Sequence, residues 1–126
     1  MSIAYVDTSA VVAIAFAEAG SVALARRLDG FSRLVSSNLL EAELRAACLR
    51  EGRPAPADLL ACLEWILTDR PLSREIGMVL ESGYLRGADL WHLATALYAA
   101  PEPSAISFVT LDRNQATIAS ALNFRG

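Results

Sequence analysis

Four acidic side chains in this sequence occupy positions where an acid is awkward for folding. Asp7 closes an apolar strand and Asp112 ends another. Glu43 lies among Ala and Leu in a helix, and Asp89 opens an apolar helix. Four carboxylates brought together would repel one another unless a divalent cation neutralised them, so their placement predicts a metal site. Oxygen-only ligands suit Mg²⁺ or Mn²⁺, and such ions keep waters that can be activated to attack the phosphorus of a phosphodiester.

Helix capping is the competing interpretation for three of these acids. Asp7, Asp89 and Asp112 each precede or open a helix, where Asp is a favoured N-cap and complements the helix dipole. Taken singly, capping is the better explanation for each of them. Thr8 and Ser9 already offer caps after Asp7, however, and the joint occurrence of the acids favours the metal site.

Two glutamates in one helical segment are expected to do different jobs. Glu41 and Glu43 lie about 200° apart around a helix. Arg45 follows Glu41 by one turn, which predicts an ordinary surface ion pair. Glu43 has apolar same-face neighbours and no basic residue within one turn, so we assign Glu43 to the metal site.

The only histidine and the large aromatic residues are assigned to packing. His92 lies one turn after Asp89, but a lone helical His between Trp91 and Leu93 more often packs or hydrogen-bonds behind a site than acts as a base. We therefore leave His92 out of the site. Trp65, Trp91 and Phe108 stand among Leu and Val at helical or strand spacing, which favours a place in the core over base stacking.

Motifs for several other chemistries are missing from the sequence. It has no Gly-rich phosphate loop, no Cys/His zinc spacing and no Gly-x-Ser-x-Gly elbow, so dinucleotide, zinc and acyl-transfer chemistry lack support. Receiver domains and haloacid-dehalogenase phosphatases also place acids at strand ends. Both families carry a Lys in the site, whereas all 11 basic residues here are Arg.

An alternation of strands and helices is predicted to position the acids. Strands are expected at SIAYVD, RLVSS and AISFVTLD, with a brief extended piece near Asp69 to Leu72. Helices are expected at TSAVVAIAFAE, SVALARRLDG, NLLEAELRAACLREG, Ser73 to about Tyr84, GADLWHLATALYAA and RNQATIASAL. The segment ADLLACLEWILTD, which follows two prolines, is helix-like around Cys62. This alternation predicts an α/β fold with a mostly parallel sheet that binds ligands at the carboxyl ends of its strands.

Length and composition limit the possible functions without naming one. The 126 residues predict a single domain, residues 1–126. A formal charge of −3 argues against coating nucleic acid through bulk positive charge, although a local basic rim can still guide a backbone. An apolar content of 54% is high for so small a domain and predicts a homodimer or a permanent partner.

The expected location is the cytoplasm. The longest apolar stretch, Ala10 to Ala17, falls short of a bilayer span, and the N-terminus has no basic region ahead of an apolar run. Cys48 and Cys62 lack metal-ligand spacing, so we predict two buried free thiols.

Four segments of the sequence resemble a known family in order and spacing. YVDTSA, VSSNLLEAELRAA, LRGADLWHLATAL and FVTLDRNQATIASAL are similar to the four acidic blocks of the PIN-domain ribonucleases, particularly the VapC-type toxins of bacterial toxin–antitoxin pairs. The resemblance covers almost the whole chain and implies a PIN-like three-layer fold. It also implies a shared Mg²⁺ or Mn²⁺ site, with Ser9 and Thr110 as nearby hydroxyl groups. The residues implied as metal ligands and catalytic groups are Asp7, Glu43, Asp89 and Asp112. One departure is Asn123, where the family often has Gly, but Asn tolerates the left-handed conformation.

The resemblance also implies an activity and partners. It points to a metal-dependent endoribonuclease acting on single-stranded or structured RNA, restrained by a cognate VapB-like antitoxin. The alternative is a catalytically silent protein of the same fold, whose acidic site binds a cation or a basic partner.

Overall fold

A parallel β-sheet forms the centre of the computed structural model, which describes residues 2–126. The strands are β1 (Ile3–Val6), β2 (Arg33–Ser37), β3 (Leu63–Ile66) and β4 (Ser107–Val109). They are arranged in the order β3-β2-β1-β4, and every neighbouring pair is parallel. The α/β fold with a mostly parallel sheet is therefore confirmed.

Helices cover both faces of the sheet. They are α1 (Thr8–Ala15), α2 (Ser21–Asp29), α3 (Leu39–Arg50), α4 (Ala57–Ala61), α5 (Ser73–Ser82), α6 (Gly87–Ala99) and α7 (Arg113–Ala121), with a short 3₁₀ turn at Pro103–Ala105. Because side chains alternate along a strand, β1 contributes to two hydrophobic cores. Tyr5 packs with α5, α6 and α7, whereas Ala4 and Val6 pack with α1 and α3. Two helical layers thus enclose the sheet.

The largest difference between the predicted and the observed elements is the edge strand β3. The helix-like segment splits into the short helix α4 and then β3, and no strand forms at Asp69 to Leu72. Leu63 pairs in register with Leu34, and Arg33 binds Glu64 across the strands at 2.8 Å. Pairing with β2 therefore fixes an extended conformation that the apolar pattern alone does not distinguish from a helix.

Three further predictions can be compared with the structure at particular residues. Helix α1 ends at Ala15 instead of continuing to Glu18, and Ala17 adopts a positive φ of 52°. Asn123 has a φ of 76°, as its tolerance of the left-handed region predicts. Cys48 is buried as expected, but Cys62 is exposed at the end of α4, so the prediction of two buried thiols is wrong.

The topology brings the ends of the central strands together. Asp7 directly follows β1 and Thr110 directly follows β4, and the Asp7 amide donates to the Val109 carbonyl at 2.9 Å. Parallel neighbours place their carboxyl ends at one edge of a sheet, so this edge carries the candidate site. Among residues 2–126, no helix has the length and apolarity that a bilayer crossing requires.

Candidate active site

Asp7 is a buried carboxylate surrounded by hydrogen-bond donors. It occupies the N-cap position of α1, where its Oδ2 accepts from the Ser9 amide at 3.1 Å. Capping by Thr8 or Ser9 is therefore wrong, because the acid itself caps the helix. Gln115 donates from Nε2 to Asp7 Oδ1 at 3.2 Å. These donors replace part of the hydration that a buried carboxylate loses.

Glu43 lies in the middle of α3 and faces the same edge. Its Oε1 accepts from the Thr8 hydroxyl at 2.7 Å and lies 3.0 Å from His92 Nε2. Partial burial alone would raise the pKa of Glu43, but the hydrogen bonds from His92 and Thr8 outweigh burial and lower it. Glu41 instead pairs with Arg45 at 3.0 Å on the surface, as predicted. The two glutamates thus have the separate environments that their helical spacing predicts.

The Asp89 carboxyl lies close enough to the other three acids for their charges to affect its pKa. It stands in the first turn of α6 and does not cap that helix, whose N-cap is Arg86. Burial raises the pKa of the Asp89 carboxyl, and the negative charges of Asp7, Asp112 and Glu43 raise it further. The four acids, which come from four separate segments of the chain, therefore share one electrostatic environment.

Asp112 is the most outward of the four acids. It is exposed at the N-cap of α7, and its Oδ1 accepts from the Gln115 amide at 2.8 Å. The capping interpretation thus holds structurally for Asp7 and Asp112, but not for Asp89. Capping does not remove the charge of either carboxylate, and it places both near the positive ends of helix dipoles.

The two predicted supporting hydroxyls lie beside Asp7. The Thr110 hydroxyl is 2.7 Å from Gln115 Oε1 and 3.2 Å from Asp7 Oδ2, and it has one hydrogen to share between them. Ser9 Oγ lies 3.2 Å from Thr110 Oγ1 and accepts from the Leu111 amide at 3.0 Å. These contacts fasten the end of β4 to the start of α1.

The donor set at this edge fits a hard divalent cation in chemistry. It consists of carboxylate and hydroxyl oxygens, which Mg²⁺ and Mn²⁺ prefer. The arrangement is less converged than a formed metal site, since no three His, Cys, Asp or Glu side chains within residues 2–126 are placed to share one ion. Glu43 is held by Thr8 and His92, and Asp112 is held by its own helix. Binding an ion would require the acids to come closer together, and Glu43 can keep its Oε1 contacts with Thr8 and His92 because Oε2 remains for the ion.

Sequence reasoning missed three residues that organise the acids. His92, Gln115 and Thr8 each hydrogen-bond a predicted site residue. The prediction that His92 packs or hydrogen-bonds behind the site describes its position. Because His92 was left out of the site, its contact with Glu43 was not predicted. Its place one turn after Asp89 was the available signal. Gln115, three residues after Asp112, had a comparable signal in its spacing.

Phe108 occupies the core position that was predicted for it, whereas Trp91 lies outside the two hydrophobic cores. Phe108 is buried in the core and stacks on Tyr5 with ring centroids 5.3 Å apart. Trp91 is half-buried and donates from Nε1 to Ser37 Oγ at 3.1 Å. Trp65 packs partly buried against the core on the α3 side of the sheet. None of the three therefore needs a role in stacking bases.

Comparison with known proteins identifies the family. A family model described as the PIN domain matches residues 4–121. No match was found among curated proteins or among solved structures. PIN domains are generally metal-dependent nucleases, which supports a hydrolase acting on nucleic acid. Because the match spans nearly the whole length, the chain belongs to the PIN-domain family.

Proposed function

We propose that the protein is a Mg²⁺- or Mn²⁺-dependent endoribonuclease. The observation that carries the proposal is the acid cluster at the carboxyl edge of the sheet, where burial and three neighbouring charges raise the pKa of Asp89. The ligands in this proposal are Asp7, Glu43, Asp89 and Asp112. When bound, the ion would lower the pKa of a coordinated water and neutralise charge that develops on the phosphate oxygens.

The remaining side chains position the acids. Ser9, Thr110 and Gln115 fix Asp7 by hydrogen bonds, and Thr8 and His92 fix Glu43. These contacts restrict the orientations of the Asp7 and Glu43 carboxylates before any substrate arrives.

A local basic rim supports an RNA backbone as the substrate. Arg86 occupies the N-cap position of the helix that carries Asp89, without a side-chain capping bond, and Arg113 directly follows Asp112. Both side chains are exposed, and guanidinium groups bind phosphate in a bidentate manner. This rim meets the requirement for local contacts in a chain whose net charge is −3.

The toxin role is the finer part of the proposal. In it, the protein is the VapC-type toxin of a toxin–antitoxin pair in the cytoplasm, held inactive by a VapB-like antitoxin. Exposed apolar side chains beside the acids suit such a partner, since Tyr84 is 73% and Leu111 54% exposed. Asn114 ties this surface to the site by donating to the Tyr84 carbonyl at 3.0 Å.

We also propose a homodimer, because an apolar content of 54% is high for so small a domain. Val22, Leu49 and Leu67 are large, exposed hydrophobic residues outside the acid cluster. Covering such residues with a second copy removes apolar surface from water. Light scattering of the isolated protein at micromolar concentration measures this association directly.

A second candidate function rests on one specific observation. Within the described residues, no three potential ligands are placed around a common point, and this favours a catalytically silent PIN-fold protein that binds a basic partner through the acids. Such a protein would bind without cutting.

Cleavage of single-stranded RNA separates the two candidates. We expect cleavage that requires Mg²⁺ or Mn²⁺, stops with a chelator and is lost in Asp7→Asn. Glu41→Gln is the matched control, because Glu41 lies on the same helix as Glu43 but pairs with Arg45 on the surface. Absence of cleavage by the wild type with either ion would favour the binding protein.

A further inference from the structure

A buried histidine connects the core of the protein to Glu43. The His92 side chain is 1% exposed, and its Nδ1 lies 2.7 Å from the Tyr5 hydroxyl. On the other side of the ring, Nε2 lies 3.0 Å from Glu43 Oε1 and 3.0 Å from Thr8 Oγ1. Strand β1, helix α6 and helix α3 each contribute one member of this chain of contacts.

The hydrogen-bond directions in this set of contacts follow from its two ends. The Ser37 amide donates to the Tyr5 hydroxyl oxygen at 3.1 Å. The ionised Glu43 carboxylate can only accept, so the hydrogen lies on His92 Nε2, and Nδ1 accepts from the Tyr5 hydroxyl. A neutral imidazole with Nδ1 as acceptor carries its hydrogen on Nε2. His92 therefore donates to Glu43 rather than accepting from the Thr8 hydroxyl.

Tyr5 is a rigid starting point for this chain. It is fully buried in the central strand, and its ring stacks on Phe108 with only 7° between the ring planes. The His92 ring meets the Tyr5 ring edge-on, with centroids 5.8 Å apart. The position of His92 Nε2 is thus set by core packing and not by solvent.

We infer that Tyr5 and His92 are positioning residues that orient the Glu43 carboxylate for metal binding. The inference rests on the proposed function for the role of Glu43 as a ligand. The Glu43 side chain is 31% exposed in the middle of a helix, where an unrestrained carboxylate samples several rotamers. His92 and Thr8 both bind Oε1, which fixes the direction of the carboxylate group. Groups that orient a ligand from behind contribute to metal affinity without touching the ion.

The tautomer of His92 is the first measurement. Because the chain contains a single histidine, ¹⁵N-histidine labelling gives one imidazole spectrum without assignment. In the metal-free wild type at neutral pH, we expect Nε2 to carry the hydrogen and Nδ1 to be unprotonated. In Tyr5→Phe, the ¹⁵N shift of Nδ1 should move, because that nitrogen loses its hydrogen-bond donor. A wild-type spectrum with the hydrogen on Nδ1 would overturn the inference.

Mn²⁺ affinity, measured by calorimetry with the ion alone, is the second measurement. His92→Leu removes the donor to Glu43 and should weaken Mn²⁺ binding by about 10- to 100-fold. His92→Gln places an amide nitrogen near the position of Nε2, so it should lose less than about tenfold. A purely structural role for His92 predicts no such rescue. Tyr5→Phe should fall between the wild type and His92→Leu.

Leu28→Ala is the control for lost stability. It removes a buried side chain from the core on the other face of the sheet from Tyr5 and leaves the Tyr5 hydroxyl, His92 and Glu43 in place. It should lower the free energy of unfolding while leaving the Mn²⁺ affinity and the tautomer unchanged. If Tyr5→Phe and His92→Leu bind Mn²⁺ as tightly as the wild type, the positioning role is refuted.

The two measurements also separate this inference from the proposed function. If the wild type neither binds Mn²⁺ nor cuts RNA, the proposed metal site is wrong, and Tyr5 and His92 have no role in metal binding. If Mn²⁺ binding and RNA cleavage survive in Tyr5→Phe and His92→Leu, the nuclease proposal stands and only the positioning role of Tyr5 and His92 is refuted.

Discussion

Gln115 donates from its side-chain amide to Asp7 Oδ1 at 3.2 Å, although 108 positions separate the two residues. The same amide donates to the Asp89 carbonyl at 3.2 Å, and the Gln115 backbone is capped by Asp112. Gln115 is fully buried, so its side-chain amide has no competing water. One neutral residue therefore links three of the four acidic segments through its side chain and its backbone.

Gln115→Leu tests this link. The substitution keeps the size of the side chain but removes the donor to Asp7 Oδ1 and to the Asp89 carbonyl, so we expect a loss of about 1–3 kcal/mol in the free energy of unfolding. Urea denaturation of the metal-free protein measures it. Thr117→Ala is the control on the same helix, because the Thr117 hydroxyl binds the Arg113 carbonyl at an exposed position. An equal loss in both variants would show that Gln115 has no special structural role.

The four acid-to-amide substitutions test the proposed metal site. We expect Asp7→Asn, Glu43→Gln, Asp89→Asn and Asp112→Asn each to weaken Mn²⁺ binding by at least about tenfold, since even groups that only orient ligands contribute that much. Isothermal calorimetry measures the affinity. Glu41→Gln should bind as the wild type does, because Glu41 is paired with Arg45. Unchanged affinity in Asp7→Asn would remove the site.

Asp89 predicts a specific dependence of stability on pH. Burial and the neighbouring acids raise its pKa above the ordinary value of 3.8 in the folded protein. The folded state therefore holds this proton more tightly than the unfolded chain, and ionisation of Asp89 lowers stability as pH rises through that range.

The matching experiment compares Asp89→Asn with the wild type in chelator. At neutral pH, the variant should have the higher free energy of unfolding, and the difference should shrink as the pH falls through the raised pKa of Asp89 and be largely gone below 3.8. Glu81→Gln removes the same charge from an exposed position on α5 and serves as the control. A difference that grows on acidification would contradict the assigned environment.

Two glycines near α5 are expected to respond in opposite directions. A Cβ on Gly83 would lie 2.9 Å from both Cδ1 and Cγ1 of Ile118, so Gly83→Ala should destabilise by about 1–3 kcal/mol through overpacking. A Cβ on Gly77 meets nothing within 4 Å inside the helix, so Gly77→Ala should stabilise by about 0.5–1 kcal/mol. Thermal unfolding compares them. A stabilised Gly83→Ala would show that packing around Ile118 is looser than described, and a destabilised Gly77→Ala would show that its surroundings are not open.

Competition between metal and antitoxin follows from the proposed toxin role. An Arg or Lys from the partner would neutralise the same carboxylates as the ion, so each should weaken the binding of the other. The measurement is antitoxin affinity with and without saturating Mn²⁺ at fixed ionic strength. Affinity that does not fall with metal present would mean that inhibition acts away from the acids.

The parts of the fold that were predicted correctly rest on local patterns. Asp7 after an apolar strand and the Glu41–Arg45 spacing are visible within a few residues of sequence. Strand β3 was missed because its conformation depends on pairing with β2, which lies about thirty residues earlier. His92 was separated from Glu43 for the same physical reason, since their contact forms only when α6 and α3 meet across the sheet edge.

The roles of the acids in folding have a consequence for how the protein could change during evolution. Asp7 and Asp112 cap helices, so a descendant released from selection for nuclease activity would still be selected to keep a capping residue there. Asp89 caps nothing, and burial beside the other acids opposes its ionisation. Its loss would cost folding little, which makes Asp89 the acid expected to disappear first from inactive copies.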